Sequence, residues 1–376
     1  MPHRALVGAQ IFDGQRLISD HAVLISQTRA TIVRPADLPA DCKQIRHAGG
    51  TIMPGFVDLQ VNGGGGVMFN TAPTVETLAA MSAALSGLGT HAFLPTLITD
   101  SIHTTTAAIA AATQAVACGL PGVLGLHLEG PHLAQSRKGA HDPALIRPMT
   151  PQDLDQLCRA SDQLPNLMVT LAPEAVTPQQ ITTLNDAGVI VFLGHSDADY
   201  DTAMRAFDAG ARGTTHLFNA MSQLGSRAPG LVGATLASPK TYAGLIADGI
   251  HVHPATIRAA LAAKHGSGGI FLVTDAMACA GAQITQFTLN GRTIHRAKGR
   301  LTLPDGTLAG ADLDMAQAIK VMVRCVGDPP EKALARATSI PAAVLRDPMG
   351  AGSWPRTAEG LIYLNRDFQV TPVAIL

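Results

Sequence analysis

Eight short apolar runs, at residues 53–60, 91–98, 123–129, 167–172, 189–195, 213–217, 242–248 and 270–275, punctuate the middle of this 376-residue chain. Each has the length of a buried strand rather than of a helix. Helical stretches at 74–88, 101–117, 151–161, 178–187, 199–209 and 254–265 fall between most of them, and two more follow at 314–326 and 331–338. Thr74 and Asp199 stand where N-caps belong, and Gly210 closes the helix that Asp199 opens. Strand and helix alternating in this way predict an α/β chain whose main body is a (β/α)8 TIM barrel.

The pattern changes at both ends. Residues 4–52 hold short strand-like runs (Arg4-Ala5-Leu6-Val7, Ala22-Val23-Leu24-Ile25, Thr31-Ile32-Val33) separated by Asp13-Gly14, Asp20, Pro35 and Pro39. That unit is too short to bury a core alone. Gly360-Leu361-Ile362-Tyr363-Leu364 and Phe368-Gln369-Val370 offer matching material. The expectation is therefore a small β-sandwich domain from residues 1–52 and 345–376, beside a barrel domain spanning 53–344. Residues 285–310, rich in Thr, Gly and Arg, read as a β excursion after the eighth strand.

Composition narrows the partners. The net charge is −1 and no basic cluster exceeds two or three residues, which argues against nucleic acid. No apolar run approaches the ~18 residues a membrane span needs, and Met1–Asp13 is too weakly apolar for a signal peptide. Five dispersed cysteines without a Cys-x-x-Cys pair point to reduced thiols in a cytoplasmic protein.

The chemistry lies at the strand ends. The third strand ends on Glu129, just before Gly130-Pro131 breaks it. The fifth ends in Gly194-His195-Ser196, the sixth in Thr215-His216-Leu217-Phe218-Asn219, and the eighth in Thr274-Asp275-Ala276. The C-terminal rim of a parallel barrel is where such residues meet. One carboxylate and two imidazoles form a three-ligand set for a divalent metal, with a position left for water. Asp275 would handle the proton. Taken singly, each has a plainer reading: a hydrogen-bonded core histidine, an ion-paired Glu129, an Asp275 that caps a helix. Their joint placement on one rim favours the metal. By strand parity His127 and Asp58 point the same way as Glu129 and Gln60 but one layer deeper, which suits a supporting or packing role. His141, in the loop after strand three, faces either substrate or solvent.

These residues sit in motifs that resemble the N-acetylglucosamine-6-phosphate deacetylases of the amidohydrolase superfamily. The motifs are Pro54-Gly55-Phe56-Val57-Asp58-Leu59-Gln60-Val61-Asn62-Gly63, His127-Leu128-Glu129-Gly130-Pro131, Lys138-Gly139-Ala140-His141, Gly194-His195-Ser196, Thr215-His216-Leu217-Phe218-Asn219-Ala220-Met221, Ala247-Asp248-Gly249-Ile250-His251 and Thr274-Asp275-Ala276-Met277. They run in order from about residue 53 to 310. Where many amidohydrolases carry His-x-His, this chain has Gln60-Val61-Asn62, and its fourth strand ends without a lysine. The resemblance thus implies one metal per subunit, held by Glu129, His195 and His216. Zinc is the default, with iron, cobalt or manganese open. It implies Asp275 as general base, His141 as helper of the oxyanion, and Ala140, His141, Asn219, Ala220, Arg227, His251 and the Leu308-Ala309-Gly310 segment as contacts for an amino-sugar phosphate. It also implies a homodimer in which the second subunit contributes to the phosphate site. Ala311 departs from the Gly-Ser often found there and removes a hydroxyl beside the sugar. Competing readings are a mononuclear hydrolase of a related substrate, such as N-acetylgalactosamine-6-phosphate, and a dead barrel used as a scaffold.

Overall fold

The computed structural model describes residues 3–373; residues 1–2 and 374–376, at the outer ends of the expected sandwich segments, lie outside the described residues. The barrel is an eight-stranded parallel sheet in sequential order: Phe56–Val61, Thr90–Ile98, Leu126–Glu129, Leu167–Leu171, Ile190–Leu193, Gly213–Thr214, Tyr242–Leu245 and Ile270–Leu272. Its strands are buried along almost their whole length, which is why they read as apolar runs rather than alternating ones. An isolated parallel bridge from Val61 to Ala276 brings the last strand back to the first.

The expected helices form, with ends within two residues of those anticipated. Side-chain caps by Thr74, Ser101, Thr150, Thr177 and Asp199 start five of them. The helix Gly230–Ala237 escapes a periodicity search because every residue from Gly230 to Leu236 is buried, leaving no polar face. Met315–Val321 runs on into a π turn, Met322–Val326.

The two chain ends form extra sheets. One is four-stranded, joining Arg29–Val33, Ala22–Ser26, Arg4–Val7 and Lys43–Arg46. The other is five-stranded and places Leu361–Leu364 antiparallel to Thr51–Pro54. Leu6, Ile11, Val23, Ile25, Ile52 and Leu361 pack between them. The first expected barrel strand, 53–60, is in fact divided. Thr51–Pro54 belongs to the small sheet, and the barrel strand begins at Phe56. Gly55 separates the two strands and leaves room for the His91 ring, which a Cβ there would meet at 2.4 Å. The excursion after strand eight is a four-stranded antiparallel sheet over Gln286–Leu289, Arg292–Ala297, Arg300–Thr302 and Leu308–Ala311.

Candidate active site

Glu129 is the last residue of the third strand, while His195 and His216 lie two residues past the fifth and sixth strands. Both histidines have left-handed backbones, with φ of 48° and 34°. That conformation ends the ladder early and turns each ring over the rim. Glu129 Oε1 lies 3.2 Å from His195 Nε2 and 3.0 Å from His216 Nε2, and the two nitrogens are 3.1 Å apart. Donors bound to one tetrahedral cation at 2.0–2.1 Å stand about 3.3 Å from each other, so this triangle fits a single divalent ion. The tautomer of His195 agrees. Its Nδ1 lies 2.7 Å from the Arg137 carbonyl oxygen, which accepts only from a protonated nitrogen, leaving the Nε2 lone pair free. The Nδ1 of His216 is buried with no hydrogen-bond partner among the described residues.

His141 also brings a ring nitrogen within 4.8 Å of ligand atoms of Glu129 and His195. Its hydrogen bonds assign it another task. The Thr99 N–H donates to Nδ1 at 3.3 Å, and the Thr99 hydroxyl lies 2.7 Å from the same atom. With Nδ1 an acceptor, the proton sits on Nε2, and the ring offers a donor rather than a lone pair. Burial, with the neighbouring His195, holds His141 well below the usual imidazole range, so it is neutral.

Asp275 stands opposite. The amide of Asn62 donates to its Oδ1 at 2.6 Å. The amide of Gln60 lies 3.4 Å from Asp275 and 3.2 and 3.3 Å from the two Glu129 oxygens, tying both carboxylates to strand one. Burial and the Glu129 charge push Asp275 up to about 6. Glu129 behaves oppositely: burial opposes its ionisation, but the imidazoles of His195 and His216 beside it outweigh that and hold it well below the carboxylate range. The two carboxyls are thus pushed apart, Glu129 held ionised and Asp275 titrating nearer neutrality. His127 spends both ring nitrogens inside the barrel, on the Leu59 carbonyl at 3.0 Å and the Thr170 hydroxyl at 2.8 Å, so no lone pair remains for a metal.

A cavity of about 380 Å³ opens over these groups. Ala140, His141, Asn219, Ala220, His251, Leu308 and Gly310 line it, as expected. Two anticipated contacts do not. Ala309 turns away into a core with Leu289, Ile294 and Leu301, because alternate residues of a strand face opposite sides. Arg227 lies on an exposed loop outside the cavity. Ala311 is buried and does not line the cavity; its N–H donates to the Asp275 carbonyl at 3.0 Å. His251 is oriented by Asp248, whose Oδ2 lies 2.6 Å from Nδ1, leaving Nε2 for a ligand. Thr99, Ser136, Arg137 and Thr307 were not anticipated. Thr99 was within reach of the rim rule, since it directly follows the second strand; Ser136 and Arg137 sit on the 3-10 turn Gln135–Arg137 and Thr307 on a loop, which strand-end reasoning does not place. A larger cleft of about 1150 Å³ lies between sandwich and barrel, but its lining includes no histidine.

The model of the amidohydrolase family matches residues 51–353. The chain belongs to the amidohydrolase family. Among its relatives is the N-acetylgalactosamine-6-phosphate deacetylase of Shewanella sp. (strain ANA-3), 45% identical over 316 residues, or 83% of this chain and 79% of that protein. The N-acetylglucosamine-6-phosphate deacetylase of Haemophilus influenzae is 36% identical over 345 residues, 91% of this chain and 89% of the relative. In structure this amidohydrolase is similar to the N-acetylglucosamine-6-phosphate deacetylase of Pasteurella multocida, with a TM-score of 0.91 and 35% identity over 98% of this chain and 97% of the other.

Proposed function

We propose that this amidohydrolase hydrolyses the acetamide of N-acetylglucosamine-6-phosphate, releasing acetate and glucosamine-6-phosphate, as a step of amino-sugar catabolism. The observation that carries the reading is the Glu129–His195–His216 triangle facing Asp275 across one cavity, in a chain this similar to deacetylases of amino-sugar phosphates.

The triangle would hold one divalent ion, zinc by the character of its donors, with iron, cobalt or manganese as the alternatives. Such an ion supplies a Lewis acid that makes a water acidic near neutral pH and polarises a carbonyl. The chain's own groups do the rest. Asp275 takes the proton of the attacking water and later delivers it to the departing nitrogen. The Nε2–H of His141 donates to the acetamide oxygen as negative charge builds there. Asn219, Ala220, His251, Leu308 and Gly310 hold the sugar phosphate within the cavity. Arg227 serves the cavity of a second copy in a homodimer; its exposed loop, with Leu224 58% exposed, supports that placement. Free, dispersed cysteines support a cytoplasmic setting. Among the described residues, no helix is long and apolar enough to cross a membrane.

The test is acetate release from N-acetylglucosamine-6-phosphate before and after chelation, with metal counted per chain. Loss on chelation and recovery on adding metal back supports the reading. A metal-loaded chain that releases no acetate from the sugar phosphate overturns it. One observation favours a second substrate: the 45% identical Shewanella relative is named for the galactosamine epimer. The ratio of kcat/KM for the two epimers decides between them.

A further inference from the structure

Among the described residues, the backbone hydrogen bonds that close the seam between the first and eighth barrel strands lie at its rim. Asn62 N–H donates to the Ala276 carbonyl at 2.8 Å, and Asp275 N–H donates to the Gln60 carbonyl at 3.0 Å. Directly beneath lies Asp58, fully buried and without a cationic partner among the described residues. A carboxyl group in such a place is unfavourable unless hydrogen bonds compensate it, and burial pushes this one up to about 7. Every hydrogen bond it makes is to the seam. It accepts from Gln60 N–H at 3.2 Å, from Thr274 N–H at 3.3 Å and from the Thr274 hydroxyl at 2.5 Å. The same hydroxyl oxygen accepts the Ala276 N–H at 3.2 Å. The residues on both sides of Asp275 are thus tied, through one threonine, to one buried carboxyl. Asp275 itself has a φ of 50°, a backbone state that a non-glycine residue keeps only when its surroundings hold it there.

We infer that Asp58 is a positioning residue for Asp275, acting through the Thr274 hydroxyl to hold the base at its left-handed turn. The inference rests on the reading of Asp275 as the general base. It explains why a buried carboxyl with no cation and no ligand role sits two residues below Gln60, and why the residue before the base carries a hydroxyl that is fully engaged.

Thr274→Val removes the hydroxyl at nearly constant volume. Its kcat is expected to fall about tenfold to a hundredfold, as misplacing a reacting group by a fraction of an ångström does, with KM changed less than about twofold. Metal per chain should be unchanged. Thr274→Ser, which restores the hydroxyl, should recover turnover to within about threefold of the parent. Asp58→Asn provides a second route to the same loss of kcat. A Thr274→Val protein that melts at lower temperature but turns over normally per metal-loaded chain overturns the inference, as does a loss that Thr274→Ser fails to repair. Asp275→Asn run alongside separates the two failures: full turnover in that variant removes the base itself, whereas an inactive Asp275→Asn beside a fully active Thr274→Val removes only the positioning role.

Discussion

His195 and Asp275 occupy comparable places, each a few residues past a barrel strand and each at a left-handed φ, 48° and 50°. They are held by different means. The His195 corner is secured from outside. Glu174, past the fourth strand, accepts the Ser196 hydroxyl at 2.8 Å and the Asp197 N–H at 2.6 Å. Arg137 forms an ion pair with Asp197 at 2.8 Å while its carbonyl orients the ring. These groups lie partly in solvent, with the Arg137 and Asp197 side chains 36% and 44% exposed. The Asp275 corner is secured from inside, by Asp58, Thr274, Gln60 and Asn62, all buried. The contrast has a chemical reason under the proposed roles. A ligand corner needs only converging lone pairs, and a bound cation adds order of its own. A base must keep its direction and its proton affinity while the cavity fills and empties, so its supports are dry and rigid.

The largest effect is expected at Asp275. Asp275→Asn is expected to lower turnover about a thousandfold while metal per chain stays the same; acetate release and metal analysis on one preparation check both halves. Loss of metal from that variant would merge the two corners into one. Glu174→Gln weakens the outer clasp and should reduce metal affinity about tenfold to a hundredfold, measured by competition with a chelator, while kcat at saturating metal stays near that of the parent. A fall in saturated kcat alone would show that the outer clasp also serves the base.

The pH profile sharpens the same division. As the proposed base, Asp275 must be ionised to accept a proton, so acetate release is expected to fall as pH drops through its titration. Burial and Glu129 raise that titration to about 6 without metal, and the positive charge of a bound cation lowers it. The acid limb of kcat/KM therefore belongs below about 6 in the loaded enzyme. Asn62→Ala deletes a 2.6 Å hydrogen bond that favours the ionised form, and should shift the limb to higher pH. A shift to lower pH would place the limb on another group.

The smallest effect is expected at the far end of the loop that carries His141. Arg147 pairs there with Asp153, at 2.6 Å between one nitrogen and Oδ1. Burial opposes ionisation of Asp153, but bonds from Arg147 and Thr150 prevail and hold it well below the carboxylate range. A depressed carboxyl contributes stability above its unfolded titration and loses it as pH falls through the folded one. Because the arginine side chain is 39% exposed, Arg147→Ala should cost only about 1 kcal/mol at pH 7, fading in acid. Denaturant melts at two pH values test the sign.

Much of this was legible along the chain. Burial on both faces leaves its mark as apolar runs, so the barrel strands and their order were readable. The rim rule then picked out Glu129, His195, His216 and Asp275 from their places at run ends. Gly230–Ala237 was not readable, because a helix buried on every side has no period to detect. Nor were the roles within the Leu308–Ala311 strand, where facing is set by pleat and register: Leu308 and Gly310 reach the cavity and Ala309 does not. Glu174 escaped for a different reason. A glutamate in a loop carries no local sign of the hydroxyl and backbone it will hold.

The chain by itself determined which residues could do chemistry and at which end of the barrel they would stand, because periodicity, breaks and donor types are properties of neighbours in sequence. The three-dimensional packing set which nitrogen of each histidine faces inward, which carboxyl is held ionised and which titrates nearer neutrality, and what secures Asp275. Those outcomes depend on distances of a few ångströms between groups as far apart in the chain as Asp58 and Thr274, and on removing them from water.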